Sequence, residues 1–244
     1  MIRRRRKTVR IHPAPLLAVL VLLAAAAAGI FFRPRGADAL SILHAGEPTL
    51  VIDAGHGGID GGAVGSSGVL EKTVNLAVAQ RAQALFRFLG ARTVMTREED
   101  TLVGYREGRP IRENKNADLH GRITLLGEIE NPVLLSIHQN QFEQEKYYGA
   151  QVFFGTTDKR SEALAKAMQE SLRAGLDPKN GRVATPAGKN IYLLYHAKCP
   201  AVIVECGFLS NAREDALLNT PDYQKQIVAA MAAGYYTYRN GEAN

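Results

Sequence analysis

From Thr49 onward, apolar runs too short to be helices alternate with longer stretches of helical spacing, and this alternation limits the fold more than any other feature. Thr49–Asp53 is a short apolar run leading into Gly-His-Gly-Gly, the mark of a buried strand. Glu71–Leu89 carries apolar residues at 74, 78, 82, 85 and 89, which is helical spacing, and Gly90 stops it. Arg92–Thr96 reads as a strand, Ala117–Ile129 as a helix with Pro132 beyond it, and Val133–Ile137 and Ala150–Phe154 as strands. Ser161–Gly175 reads as a helix with Ser161 as its N-cap. Ile191–Leu194 and Ala201–Val204 read as strands, and Pro221–Tyr238 as a closing helix with Pro221 in its first turn. Strands separated by helices predict an α/β fold: a mixed, mostly parallel twisted sheet of about six strands with helices on both faces. No internal repeat interrupts this pattern, so residues 49–240 are expected to form one domain.

The N-terminal part is built differently. Residues 1–35 hold eight basic residues and no acidic one, while the rest of the chain carries 22 basic and 24 acidic residues. The formal charge of +6 therefore belongs to the N-terminus. The remainder is nearly neutral, which argues against nucleic acid as a partner. Ala14–Phe32 is almost wholly apolar and uncharged. As a helix it would be about 28 Å long, close to a bilayer core. More basic residues precede it than follow it, so the N-terminus is expected to stay cytoplasmic and the remainder to lie outside. The length of the segment favours a retained membrane anchor; the alternative is a secreted protein cleaved near Ala39, in Ala37-Asp38-Ala39. Residues 36–48, with Gly36, Gly46 and Pro48, read as a linker. Cys199 and Cys206, flanking an expected strand, would stand about 20 Å apart. That is too far for a disulfide.

Open α/β sheets bind ligands at the carboxyl ends of their strands. Here the strongest apolar runs lead into polar residues: the first into His56, Val133–Ile137 into His138, and Ala201–Val204 into Glu205. Glu71 opens the first helix. Two imidazoles and two carboxylates can thus meet at one edge. Two His and one Glu with a fourth position open make a catalytic zinc set, and the other Glu would then serve as general base. A single His after a strand is ordinarily a loop or capping residue. A carboxylate after four apolar residues is harder to dismiss, because unpaired it would cost several kcal/mol. His12, His44, His120 and His196 read as structural or exposed, and no Gly-Lys-Ser/Thr follows the glycines at 55–62 to make a phosphate loop.

Five segments occur in order: Val51-Ile52-Asp53-Ala54-Gly55-His56-Gly57-Gly58, Glu71-Lys72-Thr73-Val74-Asn75-Leu76, Thr96-Arg97, Ser136-Ile137-His138-Gln139-Asn140, and Val204-Glu205-Cys206-Gly207-Phe208-Leu209-Ser210-Asn211. Together they resemble the zinc-dependent N-acetylmuramoyl-L-alanine amidase family over about residues 49–239. The resemblance implies Zn2+ held by His56, Glu71 and His138, with Glu205 catalytic. It also implies hydrolysis of the amide between N-acetylmuramic acid and L-alanine in peptidoglycan. Gln139 departs from the alanine often found there. Tyr147-Tyr148-Gly149-Ala150-Gln151 and Asn190-Ile191-Tyr192-Leu193-Leu194 look most similar to the sporulation- and germination-associated branch, which removes stem peptides from cortex glycan so that muramic-δ-lactam forms.

Asn140 lies two residues past His138 and shares its side of an extended chain, so it is a candidate to hold a ligand or the substrate. Arg122 and Arg97 are candidates to meet peptide carboxylates, against the plainer readings of a solvated helix face and a structural ion pair. The expected partners are peptidoglycan and, through the N-terminal segment, a membrane; a protein activator is left open. Some members of the family carry a long insertion after the second His motif whose helix plugs the site. Here only Gln141–Tyr148 stand in that place, at most about two helical turns, so the site is expected to be open. Rival readings are a zinc peptidase of the stem peptide, a non-catalytic wall-binding module, and a glycosidase using Glu71 and Glu205.

Overall fold

The structure, a computed structural model, describes residues 47–242. The segment Ala14–Phe32, the cleavage alternative at Ala39 and most of the 36–48 linker lie outside the described residues. Among the described residues no helix is long and apolar enough to cross a membrane.

Six strands form one sheet: β1 (Thr49–Ala54), β2 (Arg92–Met95), β3 (Pro132–Asn140), β4 (Gln151–Phe154), β5 (Thr185–Pro186) and β6 (Ala201–Phe208), in the order β2-β1-β3-β6-β4-β5. The pairs β2/β1, β1/β3 and β3/β6 are parallel, and β4 runs antiparallel to β6. The sheet is therefore mixed and mostly parallel, as the alternation predicts. The helices are α1 (Glu71–Phe88), α2 (Ile111–Glu128), α3 (Arg160–Leu176), α4 (Tyr192–His196), α5 (Ala212–Leu218) and α6 (Pro221–Glu242).

Strand alternation sends side chains to two apolar layers. Leu50, Ile52, Leu135, Ile137, Val202 and Val204 face a core shared with Val74 and Phe86 of α1, Leu164 and Met168 of α3, and Met231 and Tyr235 of α6. Val51, Leu134 and Ile203 face the other way, against Leu126 of α2 and Leu193 and Leu194 of α4. Both faces are covered, so the central strands read as unbroken apolar runs. Each buried aliphatic side chain contributes about 1.5–3 kcal/mol to holding the layers together.

Several sequence expectations are corrected. Ile191–Leu194 is not a strand; its place is taken by the short helix α4, and the sixth strand is instead Thr185–Pro186. Ser161 is not an N-cap. It lies inside α3, fully buried, and its hydroxyl accepts the Ala201 N–H at 3.0 Å, tying helix to sheet. α2 begins after Pro110, six residues earlier than expected, and α5, capped by Asn211, was not anticipated. β6 continues through Glu205 to Phe208, so Glu205 stands within the strand rather than after it. Cys199 and Cys206 are buried free thiols.

Candidate metal and catalytic site

The parallel register decides which polar residues become neighbours. Ala54 pairs with Ile137, and His138 pairs with Glu205. His56, two residues beyond β1, therefore arrives beside His138, and Glu71 comes in from the first residue of α1. The ring centroids of His56 and His138 are 5.0 Å apart. Glu71 Oε2 lies 3.1 Å from His56 Nε2, and Glu71 Oε1 lies 2.9 Å from His138 Nδ1. One donor atom from each of the three falls within 4.8 Å of the others.

The backbone under this cluster is held by buried cations. His56 has φ 60°, a left-handed conformation that costs a non-glycine residue of order 1–3 kcal/mol. Arg122 offsets that cost by donating from Nη2 to the His56 carbonyl and from Nη1 to the Ala54 carbonyl, each at 2.9 Å. Arg97 donates to the Ala54 and Gly55 carbonyls at 2.9 and 3.0 Å. Gly55 itself is dictated by His138: a Cβ there would lie 2.2 Å from His138 Nε2.

Arg122 is 2% exposed, so α2 does not present it on a solvated face. Its guanidinium pairs with Asp118 and Asp53, and with the two carbonyls its donors are fully engaged. It supports the His56 turn and has no N–H to spare for a peptide carboxylate. Arg97 is likewise buried on backbone carbonyls. Asn140 ends β3 and gives its carbonyl to the Leu209 N–H at 2.8 Å. It does not line the cavity described below.

Glu71 is buried and its carboxylate accepts from the Ala63 N–H at 2.9 Å, the Gln139 N–H at 3.1 Å and Asn75 Nδ2 at 3.1 Å. Burial works against its charge, but the two imidazoles outweigh burial and hold it well below the usual carboxylate range. For His56 burial alone would lower the pKa; the hydrogen bonds it donates to Asp60 and Glu71 reverse that and raise it to about 9. The donor set thus draws positive charge to itself. Glu205 differs. Burial pushes its carboxyl up to about 7, with the nearby Glu71 adding to the shift against the two imidazoles. The residue as a whole is only partly covered, yet its Oε2 is sealed and has no hydrogen-bond partner.

These observations test whether a metal fits. Two imidazole nitrogens and a carboxylate oxygen are the donor types zinc takes, with a further position left for water or substrate. Glu205, paired with His138 across the strands and lining the cavity, stands where a proton acceptor for such a water belongs. The residues fit. They open on a cavity of about 350 Å3 lined by His56, His138 and Glu205 on the sheet side and by Lys115, Leu119 and Tyr192 across from it. None of residues 141–148 lines that cavity. The segment is held by Gln141 on the Val64 carbonyl, Phe142 N on Ser210 Oγ, and the Glu145 carbonyl on Asn211.

Sequence reading missed Asp53, Asp60, Asn75 and Asp118. Asp53 and Asp60 flank His56 by three and four residues, and Asn114, Asp118 and Arg122 recur every four residues on α2, so a polar stripe was there to be found.

Fold and site together define an α/β protein with a His–Glu–His cluster on the carboxyl edge of a mostly parallel sheet. The sequence profile described as N-acetylmuramoyl-L-alanine amidase matches residues 50–235, and the chain belongs to that family. It is 36% identical over 189 residues, covering 78% of each chain, to the germination-specific N-acetylmuramoyl-L-alanine amidase of Bacillus subtilis. Among solved structures it resembles the CwlD amidase of Clostridioides difficile, determined in complex with the GerS lipoprotein. That likeness has a TM-score of 0.76 and 38% identity, covering 80% of this chain and 99% of that one. It also resembles the catalytic domain of the amidase CwlV of Bacillus (Paenibacillus) polymyxa, with a TM-score of 0.64 and 30% identity over 79% of this chain and 98% of the other.

Proposed function

We propose that this amidase is zinc-dependent, with His56, Glu71 and His138 as ligands and Glu205 as general base, acting on peptidoglycan outside the cytoplasm. The clustering of His56, Glu71 and His138, with His56, His138 and Glu205 lining one cavity, carries the reading. When bound, zinc would polarise the scissile carbonyl and lower the pKa of a water toward about 7. The chain's own residues do the rest. The Glu205 carboxylate accepts the proton of the attacking water and returns it to the departing alanine amine, which balances the hydrolysis. A carboxyl raised by burial suits this exchange, because it both takes and gives a proton near neutral pH. Glu71, pinned by three N–H donors, keeps its oxygens directed at the two imidazoles.

The 36% identity to a germination-specific amidase supports a role in spore cortex, where removing the stem peptide leaves the muramoyl carboxyl free to close into muramic-δ-lactam. The likeness to an amidase solved with a lipoprotein supports a protein partner for this chain as well. The reading is tested by digesting purified peptidoglycan with the full-length protein, with and without chelator, and weighing the products. Free stem peptides with an unblocked N-terminal alanine are expected, and chelator should abolish them. Cleavage within the peptide, or new reducing sugar, would replace this reading by a peptidase or a glycosidase.

A further inference from the structure

His56 touches two carboxylates, and only one belongs to the donor cluster. Its Nε2 lies 3.1 Å from Glu71 Oε2. Its Nδ1 lies 2.9 Å from Asp60 Oδ2, on the other side of the ring. Asp60 stands outside the cluster formed by His56, Glu71 and His138. It is not a loose surface acid: its side chain is 12% exposed, its Oδ1 meets Lys115 Nζ at 2.9 Å and accepts the Gly62 N–H at 3.3 Å. Its backbone exchanges both hydrogen bonds with Gly57, at 3.0 and 2.9 Å, so the loop folds back over His56. The return is close. A Cβ on Gly62, which has φ +68°, would lie 2.5 Å from Glu71 Oε2 and 2.7 Å from His56 Cδ2.

We propose that Asp60 is a positioning residue for the metal: it accepts a hydrogen bond from His56 Nδ1–H, so that Nε2, the nitrogen on the Glu71 side, is the one that gives up its proton to zinc, and Lys115 holds Asp60 in place. The proposal rests on the reading of His56 as a zinc ligand. A neutral imidazole has two tautomers, and only the one protonated at Nδ1 offers Nε2 to a metal. A carboxylate on the distal nitrogen selects that tautomer, fixes the ring angle and makes the ligating nitrogen more basic. His56 needs such help. It sits in a left-handed turn whose adjacent residues Gly55, Gly57 and Gly58 carry no side chains to fix the ring. His138, by contrast, is held within β3. Lys115 comes from α2, across the cavity, so it ties the loop carrying the ligand to the opposite wall.

The test is the zinc dissociation constant of the purified full-length protein, read by chelator competition, with the visible spectrum of the cobalt-substituted protein as a second readout. His138→Ala is compared to establish the cluster itself. Asp60→Ala is expected to weaken zinc about 10–100-fold and to shift the cobalt bands. Asp60→Asn keeps an acceptor oxygen without the charge and is expected to fall between wild type and Asp60→Ala. Lys115→Met removes a half-exposed ion pair and is expected to weaken zinc by no more than about fivefold. Melting of the metal-free proteins separates positioning from structure, because a merely structural acid would lower the melting temperature without moving the cobalt bands. Wild-type zinc affinity and an unchanged cobalt spectrum in the Asp60 variants overturn the proposal and leave the zinc reading standing. If Asp60→Ala does not fold, the same result in Asp60→Asn overturns it. Absence of zinc binding by the wild-type protein overturns both.

Discussion

Asp53, 1% exposed, divides its carboxylate among Arg122, Thr96 and Ser136. Burial alone would raise its pKa, but the Arg122 guanidinium and the two hydroxyls win and hold it below the ordinary carboxylate value. The ionised form is thus favoured more in the folded than in the unfolded chain. Its stabilisation is fully present above the unfolded pKa of about 3.9 and is lost as pH falls through the lower folded value. Asp53→Asn should lower the stability at pH 7 by about 3 kcal/mol, since it leaves part of a buried guanidinium uncompensated. The deficit should shrink as the medium is acidified below about pH 4, where Asp53 of the unfolded wild-type chain takes up a proton that the folded chain still refuses. Urea midpoints of both proteins between pH 7 and pH 3 check this. A deficit that stays constant over that range contradicts it.

At the scale of elements, the parallel core was legible because β1, β3 and β6 are covered on both faces and so read as continuous apolar runs. The same property made His56, His138 and Glu205 conspicuous, each a polar residue at or beyond the end of such a run. α2 was harder for an equally physical reason. Periodicity assigns polar stripes to solvent, yet Asn114, Asp118 and Arg122 form the buried stripe of this helix, bonded to loop backbone, to Asp53 and to one another. Ile191–Leu194 was misread because four apolar residues fit a strand and one buried helical turn equally well. In α4 they pack Leu193 and Leu194 against Ile203. β5 escaped notice because two residues carry no period. Asp60 could not be read as a partner of His56, since its role depends on a loop that turns back through Gly57 and Gly62.

For the whole molecule, the basic and apolar N-terminus of the sequence is the ground for proposing that the enzyme is retained at the membrane. Full-length protein is expected to stay with membranes through an alkaline wash; a mature N-terminus at Leu40, read by sequencing, would instead establish secretion after cleavage. The central claim, that four side chains form one hydrolytic centre, is tested most directly by turnover of Glu205→Gln with its zinc content measured on the same sample. The substitution keeps the shape of the side chain and removes its basicity. Zinc should remain at one per chain while the rate of amide cleavage falls about 10²–10⁴-fold. Near-wild-type turnover at full zinc occupancy would contradict the account and place the proton acceptor elsewhere.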